Sequence, residues 1–171
     1  MLRRLIFALV LLLGPGAAFA GPVGKPAPKY VLVDYEGHEI SQADLRGKVV
    51  ILNYWATWCA PCRNEMPAMD LYVRHHKGAP LAIYAITVDN QVPYSRLKFL
   101  DDSLAFSLVQ KLKGRGYGIR GGVPTSYVID RAGIVRHAKA GAFDQQQLEA
   151  LVTPLLSEPD PAPPQQAVAS R

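Results

Sequence analysis

The chain reads as an α/β protein with a central mixed β-sheet flanked by helices on both faces, and three observations lead there. Val49–Val50–Ile51–Leu52–Asn53–Tyr54 and residues 81–88 are β-rich runs without polar alternation, as expected of strands buried on both sides. Helical periodicity separates them and follows the second, so the order begins β–α–β–α and demands a parallel pairing. Further on, Ser126–Tyr127–Val128–Ile129 and residues 134–140 flank an Asp130–Arg131–Ala132–Gly133 turn, which reads as an antiparallel hairpin before a closing helix.

Taken in order, residues 21–28 are Gly/Pro-rich and form an extended lead-in. Tyr30–Val31–Leu32–Val33 is a short strand followed by a Glu36–Gly37 turn, and Ser41 caps a helical turn through Leu45 that Gly47 ends. After the strand at 49–54, helical character begins at Pro61. Cys62, Met66, Met69 and Val73 fall on one face, and Pro67 should kink the backbone. Gly78–Ala79–Pro80 stops this helix. Residues 93–100 and 104–112 read as two more helices, and the glycines at 114, 116, 118, 121 and 122 form a flexible approach to Val123–Pro124–Thr125. Asp144 caps a last helix over about 145–156, and the Pro-rich tail, 157–171, lacks core-forming residues and reads as disordered. The domain is thus expected over 21–156.

With 171 residues, 49% hydrophobic and 19% charged, the chain has room for a single domain. Its formal charge is +5, falling to +3 without Arg3 and Arg4, and its cations are scattered. No dense basic stripe argues for a nucleic-acid partner. Arg3 and Arg4 precede an apolar run at 5–13, and Ala18–Phe19–Ala20 supplies the small residues read at a cleavage site. Residues 1–20 therefore read as a secretory signal cut before Gly21, with an uncleaved membrane anchor as the alternative. Either way the domain is expected outside the cytoplasm, in the periplasm, where thiols are not held reduced.

The chain has two cysteines, Cys59 and Cys62, at the end of a buried strand and the start of a helix. A disulfide between them closes almost no loop, so its use is chemical rather than mechanical. The helix N-terminus offers unpaired N–H groups and a positive dipole end, which stabilise a thiolate and lower the thiol pKa below about 8.5. Cys59 would be the exposed nucleophile. Cys62, one turn into the helix on its apolar face, would be the shielded partner that resolves the mixed disulfide.

Other readings exist for the pair. Zinc needs four ligands; twelve residues separate Cys62 from His75, but His76 is adjacent to His75 instead of three to five residues on. A purely structural disulfide is a second alternative, and a copper site joining two thiolates to a histidine such as His137 a third. A peroxidase is weaker still, because those enzymes usually carry a Thr-x-x-Cys site without a tryptophan-flanked pair.

Trp55–Ala56–Thr57–Trp58–Cys59–Ala60–Pro61–Cys62–Arg63–Asn64–Glu65–Met66–Pro67 resembles the active-site signature of TlpA/ResA-like thioredoxins, exported or membrane-anchored thiol–disulfide oxidoreductases of bacteria. The resemblance continues through Tyr117–Gly118–Ile119 and residues 123–130, and covers about 24–152. It implies a thioredoxin-like fold, a redox pair at Cys59 and Cys62, and Trp58 as the apolar neighbour against which partners pack. Pro124 matches the family's cis-proline, which leaves the Val123 backbone free to hydrogen-bond an extended partner by strand addition. Thioredoxins carry a buried Asp six residues before the first cysteine, where this chain has Asn53. Glu65 matches a carboxylate that the TlpA/ResA-like group keeps near its active site. Held in apolar surroundings it could exchange protons near neutral pH; the plain alternative is a residue that only complements the helix dipole. The approach Arg120–Gly121–Gly122 is a residue longer than the family's usual one.

The function expected is reduction of disulfides in exported protein clients, as in apocytochrome c or copper-site assembly. The resemblance also implies electrons from a membrane thiol transporter. A monomer without a cofactor is expected. A disulfide-forming oxidant and a non-enzymatic copper metallochaperone remain as alternatives.

Overall fold

The computed structural model of the protein describes residues 23–159. The expected signal segment and residues 160–171 of the expected tail lie outside them. Eight strands and three α-helices follow in the order β1 (Tyr30–Val33), β2 (Glu39–Ser41), a 3-10 turn (Gln42–Leu45), β3 (Val49–Trp55), α1 (Ala60–His75), β4 (Leu81–Thr87), α2 (Tyr94–Ser103), β5 (Ser107–Val109), β6 (Lys111–Gly114), β7 (Thr125–Ile129), β8 (Val135–Ala140) and α3 (Gln145–Leu156). The main sheet runs β5-β4-β3-β7-β8, parallel across β5, β4 and β3 and antiparallel from β3 to β7 to β8. The central position of β3 explains its unbroken apolar run: both of its edges are paired and both of its faces are covered.

Alternation along β3 divides the core. Val49, Ile51 and Trp55 face α1 and α3, where they meet Met66, Met69, Tyr72, Leu148 and Val152. Val50 and Leu52 face the other way, toward Tyr30, Leu32, Leu45 and Tyr127. Burying each such large side chain contributes about 1.5–3 kcal/mol. The second face is covered chiefly by a small antiparallel sheet, β2-β1-β6, and the 3-10 turn, which the sequence reading did not anticipate. Ser41 and Asp44 form a reciprocal capping box on that turn, as Asp144 and Gln147 do on α3.

One element requires correction. Residues 104–112, read as a helix, contain β5 and the first half of β6. Leu108 and Val109 point to opposite cores, β5 pairs with β4, and β6 pairs with β1 eighty residues away in sequence, so sheet partners decide against the local helical spacing. At the other end, Glu158 falls within the stretch assigned to the tail but is held to the domain. Its carbonyl accepts from Arg131 at 2.5 Å and its carboxylate from Arg136 at 2.8 Å.

Candidate active site at the cysteine end of the sheet

Strand β3 delivers the chain to the loop 56–59, and α1 starts at once. Cys59 is the N-cap of α1, Cys62 lies in its first turn, and the two are joined by a disulfide with Cα atoms 5.3 Å apart. The Cys62 N–H, unpaired within the helix, donates to Cys59 Sγ at 3.2 Å. A thiolate at Cys59 would therefore meet a backbone donor and the helix dipole together. Cys59 is only 4% exposed, not the exposed nucleophile expected from sequence, because the Val123 carbonyl lies against its sulfur; Cys62 is wholly buried.

Val123 and Pro124 come from the segment before β7 and are joined by a cis peptide bond. The Val123 carbonyl oxygen lies 3.5 Å from Cys59 Sγ. In the disulfide this is a contact, and in the reduced state the thiol can donate across it. The longer approach is closed by Thr125, whose Oγ1 donates to the Gly122 carbonyl at 2.6 Å and accepts from the Arg120 N–H at 3.0 Å. Trp58 is 69% exposed beside the pair.

What holds that tryptophan was not found from sequence. Asp89, just past the end of β4, accepts from the Thr57 N–H at 2.6 Å, Thr57 Oγ1 at 2.8 Å and Trp58 Nε1 at 2.8 Å. Arg63 Nη1 donates to the Thr57 carbonyl at 2.6 Å from the helix side. A lone acid at the C-terminal end of a parallel strand next to β3 was the available signal, because open α/β sheets build their sites there.

Glu65 is 1% exposed, so it is not a surface residue complementing the helix end. Its Oε1 accepts from Asn53 Nδ2 at 2.7 Å and its Oε2 from the Phe143 N–H at 2.8 Å. Asn53 Nδ2 also donates to Ser126 Oγ at 2.9 Å, which ties β3, β7, α1 and the start of α3 into one polar knot. Burial pushes the Glu65 pKa up to about 7 against these two donors, both neutral. Asn53 Oδ1 finds no partner among the described residues.

The histidines raised as metal ligands do not join the cysteines. His137 packs on Phe143 with ring centres 5.1 Å apart, and burial with nearby Lys139 lowers its pKa. Among the described residues the one cluster with metal-ligand spacing is Asp34, Glu36 and His38, on the surface beyond β1.

The AhpC/TSA family matches residues 23–138. Thiol-disulfide oxidoreductase ResA of Bacillus anthracis is 40% identical over 134 residues, covering 74% of this chain and 75% of its own. Thioredoxin-like protein YneN of Bacillus subtilis is 32% identical over 130 residues, covering 74% and 76%. Among solved structures, a thiol:disulfide interchange protein DsbE from Chlorobium tepidum superposes with a TM-score of 0.67 at 30% identity, covering 80% of this chain and 99% of that one.

Proposed function

The chain belongs to the AhpC/TSA family and is a thiol–disulfide oxidoreductase of thioredoxin-like fold, and from that premise we propose that it reduces disulfides of exported protein clients in the periplasm. The observation that carries the reading is the asymmetry of the pair: Cys59 keeps a small exposed fraction beside exposed Trp58 and the Val123 carbonyl, while Cys62 is wholly buried.

In the reduced enzyme the Cys59 thiolate attacks one sulfur of a client disulfide. The Cys59–client bond forms, the client bond breaks, and the departing client sulfur leaves as a thiolate that takes up a proton. Cys62 then gives its proton to the Glu65 carboxylate and attacks Cys59. The intramolecular disulfide forms, the second client thiolate departs, and two electrons have passed from the pair to the client. A carboxyl group titrating near 7 suits that proton transfer at neutral pH. The Val123 carbonyl and the Trp58 ring face would hold an extended client strand, with Pro124 keeping Val123 from pairing within its own sheet. A membrane thiol donor would restore the dithiol by the same steps reversed. Clients in cytochrome c or copper-site assembly fit this chemistry. No helix among the described residues is long and apolar enough to cross a membrane.

The test is trapping. Cys62→Ser, expressed with its own leader in a periplasm, should accumulate mixed disulfides between Cys59 and exported proteins. Adding Cys59→Ser should abolish them. Capture of no exported protein sinks the client reading, and a strongly oxidising reduction potential for the pair would reverse the electron flow.

A further inference from the structure

Glu65 changes its hydrogen-bonding needs when it titrates, and its partners are few enough to follow one by one. The ionised carboxylate only accepts: Oε2 takes the Phe143 N–H at 2.8 Å, and Oε1 takes one hydrogen of Asn53 Nδ2 at 2.7 Å. The second hydrogen of that amide goes to Ser126 Oγ at 2.9 Å. Asn53 and Ser126 are wholly buried and Glu65 is 1% exposed, which makes a misplaced hydrogen costly there. The amide is used on one side only, since Asn53 Oδ1 has no partner among the described residues.

A proton on Glu65 upsets this arrangement. Oε2 faces a backbone N–H, so the acid hydrogen belongs on Oε1. There it meets Asn53 Nδ2, and two donors would face each other across 2.7 Å. Turning the amide over about its last side-chain bond exchanges Nδ2 and Oδ1 in nearly the same volume. Oδ1 then accepts from the Glu65 O–H and from the Ser126 hydroxyl, which can donate as well as accept. Either orientation leaves one end of the amide without a partner among the described residues, so that cost cancels. The proton on Glu65 decides between them.

No charge competes for that decision. Burial against the Asn53 and Phe143 donors accounts for the rise of Glu65 to about 7. On α1, Cys62 lies three residues earlier and is held in the disulfide. From β3 and β7 come the neutral Asn53 and Ser126. Ahead of α3, the Phe143 N–H faces Glu65, while Asp144 caps the helix from the surface. His137 of β8 meets the ring of Phe143. An amide can hold the proton without taking it, as a carboxylate at position 53 could not.

We propose that the Asn53 amide reverses with the protonation of Glu65, donating to the carboxylate and accepting from the acid, and so positions the proton that Cys62 gives up. This role rests on Glu65 as the acceptor of that proton, and Asn53 acts through it as a positioning residue.

The experiment is NMR of the full oxidised chain at about pH 5 and about pH 9, on either side of the Glu65 midpoint. At the higher pH the Asn53 Nδ2 hydrogens should show NOEs to the Ser126 β hydrogens. At the lower pH these should vanish, and the Nδ2 resonance should move with the same midpoint as the Glu65 carboxyl carbon. In Glu65→Gln the Phe143 N–H claims the side-chain oxygen and turns the NH2 group toward Asn53, so the low-pH pattern should hold at both values. In Asn53→Leu, closure of the Cys59–Cys62 disulfide should slow roughly tenfold at neutral pH, the loss of about one hydrogen bond to a charged group. NOEs that persist in the wild type across the Glu65 midpoint overturn the proposal, and so does a wild-type closure rate in Asn53→Leu. The first of these uses the unaltered protein and stands even where a variant fails to fold. Reversal of Asn53 together with an unimpaired exchange rate in Glu65→Gln would support the response of the amide and overturn Glu65 as the acceptor.

Discussion

Each end of β7 lies beside a buried carboxylate, and the fold surrounds the two in different ways. Beyond its last residue, Asp130 accepts from Arg136 Nε at 2.5 Å and from the Ile134 N–H at 2.8 Å, so a guanidinium balances its charge. Across from Ser126, near the start of the strand, Glu65 has only the Asn53 amide and the Phe143 N–H. Neutral donors do not offset the loss of hydration, and Glu65 is pushed up to about 7. Similar burial thus yields a charge-paired brace at one end and, in the function we propose, a proton holder at the other, according to whether a cation stands beside the acid.

The largest expected effect is at Glu65. Glu65→Gln should slow thiol–disulfide exchange roughly a hundredfold at neutral pH and erase the inflection near 7 in the rate–pH profile, read by stopped-flow kinetics. The same acid should shape stability. Folded Glu65 keeps its proton up to about 7, whereas an unfolded glutamate releases it near 4.5, so the folded state binds more protons between these values. Stability should therefore fall as pH rises through that window, by up to about 3 kcal/mol. In Glu65→Gln the gap between urea midpoints at about pH 5 and about pH 8 should narrow; an unchanged gap would show that Glu65 does not hold that proton.

At the other end, Asp130→Ala should cost about 2 kcal/mol in urea unfolding by stranding the Ile134 N–H and one face of Arg136. Exchange kinetics should stay as in the wild type. A loss of rate comparable to that of Glu65→Gln would erase the distinction between brace and proton holder. The smallest effect falls on Asp89, which positions Trp58 without touching the sulfurs. Asp89→Asn should cost about 1 kcal/mol in stability and raise KM for a protein client more than it lowers kcat.

The sequence was informative where one period or one motif had a single interpretation. The run at 49–54 has no polar alternation, so the central strand and the position of Cys59 at its end could be read directly. Leu104, Leu108 and Leu112 fit a helical repeat, while Leu104, Phe106 and Leu108 alternate as a strand does. The choice lay with β4 and β1, distant partners that local spacing cannot report. The site shows the same division. Glu65 could be singled out from its place after Cys62, yet its donors come from β3 and from Phe143, seventy-eight residues on. Asp89 escaped notice because its meaning depends on β4 lying beside β3.

The Phe143 N–H that reaches Glu65 also bears on how much of this protein must travel together. The family match stops at residue 138, before Phe143 and all of α3. A graft or a deletion trimmed to that boundary would keep both cysteines, the proline and the tryptophan, yet leave Glu65 one donor short and the helix-facing core open along Leu148 and Val152. The smallest portable form of this redox centre is therefore longer than its motif by one helix.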